Sequence, residues 1–92
     1  MIKSFKCKDT EALFHDEVVP RFRAIERAAR RKLLYLNQAR TLTDLRVPPG
    51  NHLEALKGSR AGQHSIRVND QWRICFQWSA TGPSAIEIVD YH

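Results

Sequence analysis

An acid, a phenol and an imidazole follow one another in Asp90-Tyr91-His92, directly after Ala85-Ile86-Glu87-Ile88-Val89, a run that alternates like a strand. An imidazole titrates near neutral pH, so His92 beside a carboxylate and a phenol is suited to proton transfer. The plainer reading is that the strand stops at Val89 and three polar residues trail into water. A second group of such residues lies in the segment 72–78, where Arg73, Cys75 and Gln77 alternate with Trp72, Ile74, Phe76 and Trp78. With the large apolar side chains turned to a core, Arg73 faces the other way. Segment 64–68 alternates likewise, with Ile66 and Val68 inward and Ser65, Arg67 and then Asn69 outward. A sheet face that gathers arginines beside an imidazole can hold a phosphate against a proton carrier. An arginine merely exposed on a strand is the alternative for Arg73.

The elements that must position these groups read as α+β. Ile2 to Cys7 reads as a short first strand, and Asp9-Thr10-Glu11 offers N-cap chemistry for a brief helix through Phe14. From Arg21 to about Ala39, Phe22, Ile25, Ala29, Leu33 and Leu36 recur at spacings of three and four, the signature of an amphipathic helix covering a sheet. Its other face carries Arg23, Glu26, Arg27, Arg30, Arg31 and Arg40, either a solvated face or an RNA footprint. Thr41 to Arg46 suggests another helical turn with Thr43 or Asp44 as cap, and Val47-Pro48-Pro49-Gly50 breaks regular structure within one domain. Asn69-Asp70 offers a tight hairpin turn between the strands at 64–68 and 72–78, and Thr81-Gly82-Pro83-Ser84 turns the chain into the last strand. The helices are expected to pack on one face of this antiparallel set. Trp78 reads as core.

Composition narrows the partners. Fifteen Lys plus Arg against ten Asp plus Glu give a formal charge of +5, a balance that favours polyanions such as nucleic acid. Ninety-two residues suit one domain, 1–92, with a modest core. Cys7 and Cys75 have neither C-x-x-C nor metal-ligand spacing, so a reduced, cytoplasmic protein is expected, with Cys75 a small residue of the core or sheet face. No apolar run suits a signal peptide or a membrane span, so no membrane association is expected.

The run Leu56-Lys57-Gly58-Ser59-Arg60-Ala61-Gly62-Gln63-His64-Ser65-Ile66-Arg67-Val68-Asn69-Asp70-Gln71-Trp72-Arg73-Ile74-Cys75-Phe76, together with Asp90-Tyr91-His92, resembles the HigB-type toxins of the RelE superfamily, most of all the GraT-type branch. Met1-Ile2-Lys3-Ser4-Phe5 and the stretch Pro48-Pro49-Gly50-Asn51 through Glu54-Ala55-Leu56 also fit, so the resemblance spans nearly the whole chain. It implies a RelE-like fold, with two main N-terminal helices packed on a small twisted antiparallel sheet. It further implies the toxin of a type II toxin–antitoxin pair, an endoribonuclease that cuts messenger RNA in the ribosomal A site, with no metal and no cofactor. The implied partners are the bacterial ribosome with its message and a helix-turn-helix, HigA-like antitoxin that binds away from the active site. DNA would be contacted only indirectly, through that antitoxin.

By the same resemblance the catalytic positions fall on Lys57, Arg73, Asp90, Tyr91 and His92, and Arg60 and Arg67 join Arg23, Arg27, Arg30 and Arg31 as RNA- or ribosome-binding candidates. Some HigB proteins carry a histidine three residues before the lysine; here Glu54 stands there, with His52 two residues earlier, and both are auxiliary candidates. The residue types fit the chemistry. Metal-free RNA cleavage deprotonates the ribose 2′-OH, protonates the 5′-oxygen and stabilises the phosphorane charge. His92 is the proton carrier, as base or acid; Arg73 and Lys57 hold the phosphate; Tyr91 stacks on a base or orients the 2′-OH; Asp90 fixes the imidazole or shares in proton transfer. The rival readings are a ParE-like inhibitor of gyrase, a non-catalytic RNA- or ribosome-binding protein, and a metal site built from His15, His52, His64 and His92, whose spacing is unpaired.

Overall fold

The computed structural model describes residues 1–90. Two α-helices, α1 (Lys8–Phe14) and α2 (Glu26–Gln38), precede four strands, β1 (Glu54–Ala55), β2 (Gln63–Arg67), β3 (Trp72–Ser79) and β4 (Gly82–Asp90). The strands form one antiparallel sheet in the order β1-β2-β3-β4, an α+β arrangement.

The three-and-four spacing read along 21–39 describes the buried face correctly: Phe22, Ile25, Ala29, Leu33 and Leu36 all lie in the core. They meet Ile66, Val68, Ile74, Phe76, Ile86 and Ile88 from one face of the sheet. Each of the larger side chains, Ala29 aside, contributes about 1.5–3 kcal/mol of burial. The helix itself is shorter than its pattern. Pro20–Ile25 is a 3₁₀ turn led by proline, which supplies no N–H, and α-helical bonding starts only at Glu26. Trp72 and Trp78 are half-buried against the core, Trp72 edge-on to Phe22 at 5.6 Å.

Several boundaries differ from expectation. Ile2 to Cys7 is not a strand: it runs beside β4 with a single parallel bridge, Phe5 to Ile86. The cause is a bulge in β4. Cys75 pairs with Glu87 and Gln77 with Ser84, so two β4 residues, Ala85 and Ile86, oppose Phe76, and Ala85 takes φ 52°. The freed N–H groups of Ala85 and Ile86 donate to Ser4, which diverts the first segment from ladder pairing. Helix α1 is capped at Cys7, not by the Asp9-Thr10-Glu11 side chains; Thr10 is buried and its hydroxyl accepts the Ile88 N–H at 3.1 Å.

The turn at Leu42–Arg46 is 3₁₀ and is capped by Thr41, in a reciprocal box with Asp44, rather than by Thr43. The β2–β3 turn is closed by the Asn69 side-chain oxygen Oδ1, which accepts from the Gln71 and Trp72 N–H groups. Strand β4 begins at Gly82, three residues earlier than its alternation suggests, because Ala80-Thr81 suffices as the turn. Gly82 sits at φ 121° with a Cβ position only 2.7 Å from the Met1 carbonyl oxygen, so no other residue fits. Among the described residues no helix is long and apolar enough to cross a membrane.

Candidate active site

Directly opposed residues of an antiparallel sheet share a face. Glu54, Ser65, Cys75 and Glu87 therefore form one row across all four strands, and Arg67, Arg73 and Val89 form the next. Both rows lie on the face turned away from the helices, where the alternation of β3 puts Arg73 and Cys75. Burial on this face is deeper than alternation implies: Ser65 and Cys75 are both fully buried. Burial pushes the Cys75 thiol above its ordinary value, with the charges of Arg60, Glu87, Arg73 and Lys6 around it.

Arg73 is the best-anchored cation of the face. Its Nε donates to Ser65 Oγ at 2.8 Å and its Nη2 to the His52 carbonyl oxygen at 2.6 Å. The Glu54 carboxylate lies 3.8 Å from the same Nη2. The guanidinium thus leans diagonally over β2 towards β1, and a phosphate approaching it would meet a carboxylate as well. His52 contributes its carbonyl; its side chain is exposed and its backbone is left-handed, at φ 44° and ψ 57°.

The other cations separate into groups. Arg67 pairs with Asp70, and Arg60 bonds Glu87 at 3.1 Å and Gln63 at 3.2 Å, with Lys6 also near Glu87. Lys57 is exposed at the end of β1, after the buried Leu56, and caps the 3₁₀ turn Gly58–Arg60. Arg23, Arg27 and Arg31 are exposed on the helical layer, across the sheet from Arg73. Arg30 is engaged internally, with Glu26 at 2.8 Å, the Leu13 carbonyl at 3.2 Å and the Glu17 carbonyl at 3.0 Å.

Asp90 pairs with Trp72, so its side chain emerges on the helix side of the strand end rather than on the Arg73 face, and it accepts from Gln71 Nε2 at 3.0 Å. Tyr91 and His92, on which the proton-transfer reading rests, lie outside the described residues. Among the described residues no three His, Cys, Asp or Glu side chains gather as a metal-binding group.

Sequence reasoning missed Ser65 as a ligand of Arg73, the Glu87 anchor of Arg60, and Asn51, which is fully buried. Ser65 could have been found, since the outward alternation of β2 places it beside the arginines. Asn51 left no such signal.

The family model described as "RelE-like toxin of type II toxin-antitoxin system HigB" matches residues 3–92. A curated relative from Vibrio cholerae serotype O1, described as "Toxin HigB-1", is 45% identical over 80 residues, covering 85% of this chain and 84% of that protein. An "Uncharacterized protein" of Haemophilus influenzae is 42% identical over 48 residues, covering 52% of this chain and 48% of that protein. With its arginine-bearing sheet face and its helical cover already described, the chain belongs to the HigB-like family, the RelE-like toxins of type II toxin–antitoxin systems.

Proposed function

We propose that this toxin is an endoribonuclease that cuts messenger RNA in the ribosomal A site and so arrests translation. The observation that supports it best is the Arg73 guanidinium, held by Ser65 and by the His52 carbonyl, with the Glu54 carboxylate beside it. A doubly anchored guanidinium is suited to paired hydrogen bonds with a scissile phosphate, and Lys57 adds a point charge.

In this reading Glu54 takes the proton of the ribose 2′-OH, and the 2′-oxygen attacks the adjacent phosphorus. The bond to the 5′-oxygen breaks as His92 gives that oxygen a proton, leaving a 2′,3′-cyclic phosphate and a 5′-hydroxyl. Tyr91 orients the 2′-OH or stacks on a base. The exposed Arg23, Arg27 and Arg31 of the helical layer serve docking on ribosomal RNA or on the antitoxin. The antitoxin is a HigA-like, helix-turn-helix protein through which alone the pair contacts DNA, and both act in the cytoplasm.

The test is incubation of the purified chain, and of its His92→Gln variant, with bacterial ribosomes programmed with a defined message. Ribosome-dependent cuts ending in a 2′,3′-cyclic phosphate and lost in the variant are expected. Inhibition of gyrase supercoiling without cut RNA would replace this reading with a ParE-like one, and RNA binding without either would leave a passive binder.

A further inference from the structure

Asn51 carries no charge and lies outside the Arg73 face, yet two parts of the chain, α2 and the segment 45–47, converge on its fully buried side chain. Its Oδ1 accepts from Lys32 Nζ of α2 at 2.5 Å, and its Nδ2 donates to the carbonyls of Leu45 at 3.1 Å and Val47 at 3.4 Å. Every hydrogen-bonding group of that amide is thereby used, which holds the side chain in one orientation. Lys32 is 8% exposed and, among the described residues, bonds no carboxylate, an unusual setting for a lysine.

The next residue along is His52. The 3₁₀ turn Pro49–Asn51 closes through Asn51 N–H to the Pro48 carbonyl at 3.0 Å and His52 N–H to the Pro49 carbonyl at 3.1 Å. It delivers His52 in a left-handed conformation that side-chain-bearing residues keep only where their surroundings impose it. That conformation aims the His52 carbonyl at Arg73 Nη2. Burial of Asn51 is thus one residue removed from the acceptor that orients the guanidinium.

We propose that Asn51, clamped by Lys32, is a positioning residue for Arg73: it locks the 49–52 turn so that the His52 carbonyl sets the plane of the guanidinium. The pair touches no substrate and acts only through Arg73. The proposal rests on the endoribonuclease reading for its effect on rate, and its structural half can be read without any activity.

The experiment compares the full chain with Lys32→Met, which keeps the apolar stem, and with Asn51→Ala as the second variant. In single-turnover cleavage on programmed ribosomes, the rate constant is expected to fall about 10–100-fold, the usual cost of a small misplacement of a reacting group. The half-saturating ribosome concentration should stay within about twofold, because no ground-state contact is removed. In an Arg73→Ala background the same substitution should add less than about a twofold further loss, since residues acting as one unit are non-additive. The NMR signal of the Arg73 Nη2 hydrogens, which donate to the His52 carbonyl, should exchange faster with solvent in Lys32→Met than in the parent chain.

Losses that multiply with those of Arg73→Ala, or an Arg73 Nη2 signal unchanged in a folded variant, would overturn the positioning role. Should Arg73→Ala cleave as well as the parent, the endoribonuclease role of Arg73 falls, and the exchange measurement still decides whether Asn51 and Lys32 hold it.

Discussion

Glu54 Oε2 lies 3.8 Å from Arg73 Nη2, reached across the intervening strand β2, and the two side chains differ sharply in exposure: 53% for the carboxylate, 12% for the guanidinium. The cation is held by the sheet while the acid stands at its open edge. A half-exposed pair of this kind adds little to stability, of order 0–1 kcal/mol, so the proposed role of Glu54 can be tested without unfolding the chain.

Glu54→Gln is accordingly expected to leave the melting temperature nearly unchanged. Its cleavage rate should fall by roughly 10²–10⁴, the usual contribution of a positioned general base. Single-turnover cleavage beside a thermal melt checks both, and full cleavage by the variant would remove Glu54 from the mechanism.

The arginines of the helical layer divide by what they touch. Arg30→Ala strips donors from the Leu13 and Glu17 carbonyls and from Glu26, and is expected to cost about 1–2 kcal/mol of stability. Arg27→Ala with Arg31→Ala should barely alter stability but weaken ribosome binding and flatten its salt dependence, as expected for phosphate contacts. Denaturant melts and ribosome co-sedimentation at several salt concentrations distinguish the two classes.

The two cysteines should react very differently. Burial works against ionisation of Cys7, but the N–H and hydroxyl of Thr10, the N–H of Asp9 and the charge of Arg21 outweigh it and hold the thiol below its ordinary value. Cys75 is buried and pushed the other way. Alkylation of the folded chain at neutral pH is therefore expected at Cys7 well before Cys75. Mass spectrometry of the labelled peptides would show it, and preferential labelling of Cys75 would contradict the packing of this face.

Lys32 predicts a pH dependence of stability. Burial, then the charges of Arg31 and Arg67, lower its pKa in the folded chain. Between that lowered value and the ordinary lysine value of about 10.4, the unfolded chain binds more protons than the folded one, so this residue's contribution to stability rises with pH. Below the lowered value its penalty is present in full. The stability of the parent chain minus that of Lys32→Met should thus increase on the alkaline side, measured by denaturant melts from neutral to alkaline pH. A flat difference would mean that the ammonium is not desolvated.

Local pattern alone determined a good part of this protein. Alternation along β3 assigned Ile74 and Phe76 to the core and Arg73 to the opposite face, because a strand's period of two leaves no other choice. The spacing of Phe22, Ile25, Ala29, Leu33 and Leu36 likewise determined which side of the helical layer is buried, even where the backbone is 3₁₀. The motif segments around Lys57 and Arg73 pointed to the toxin family that the comparisons identify.

Only the tertiary structure decided what surrounds Arg73. Strand β1 is two residues long and carries no periodic signal; it exists because β2 offers it partners, and its pairing brings Glu54 within reach of the guanidinium. Ile2 to Cys7 has a strand-like composition but meets β4 at a bulge, so its hydrogen bonds scatter. Asn51 and Lys32 lie 19 residues apart, and a polar pair becomes buried only when α2 and the proline-rich turn close over it. Face and period are properties of one segment, whereas register, bulges and buried polar partners belong to pairs of segments and arise only on assembly.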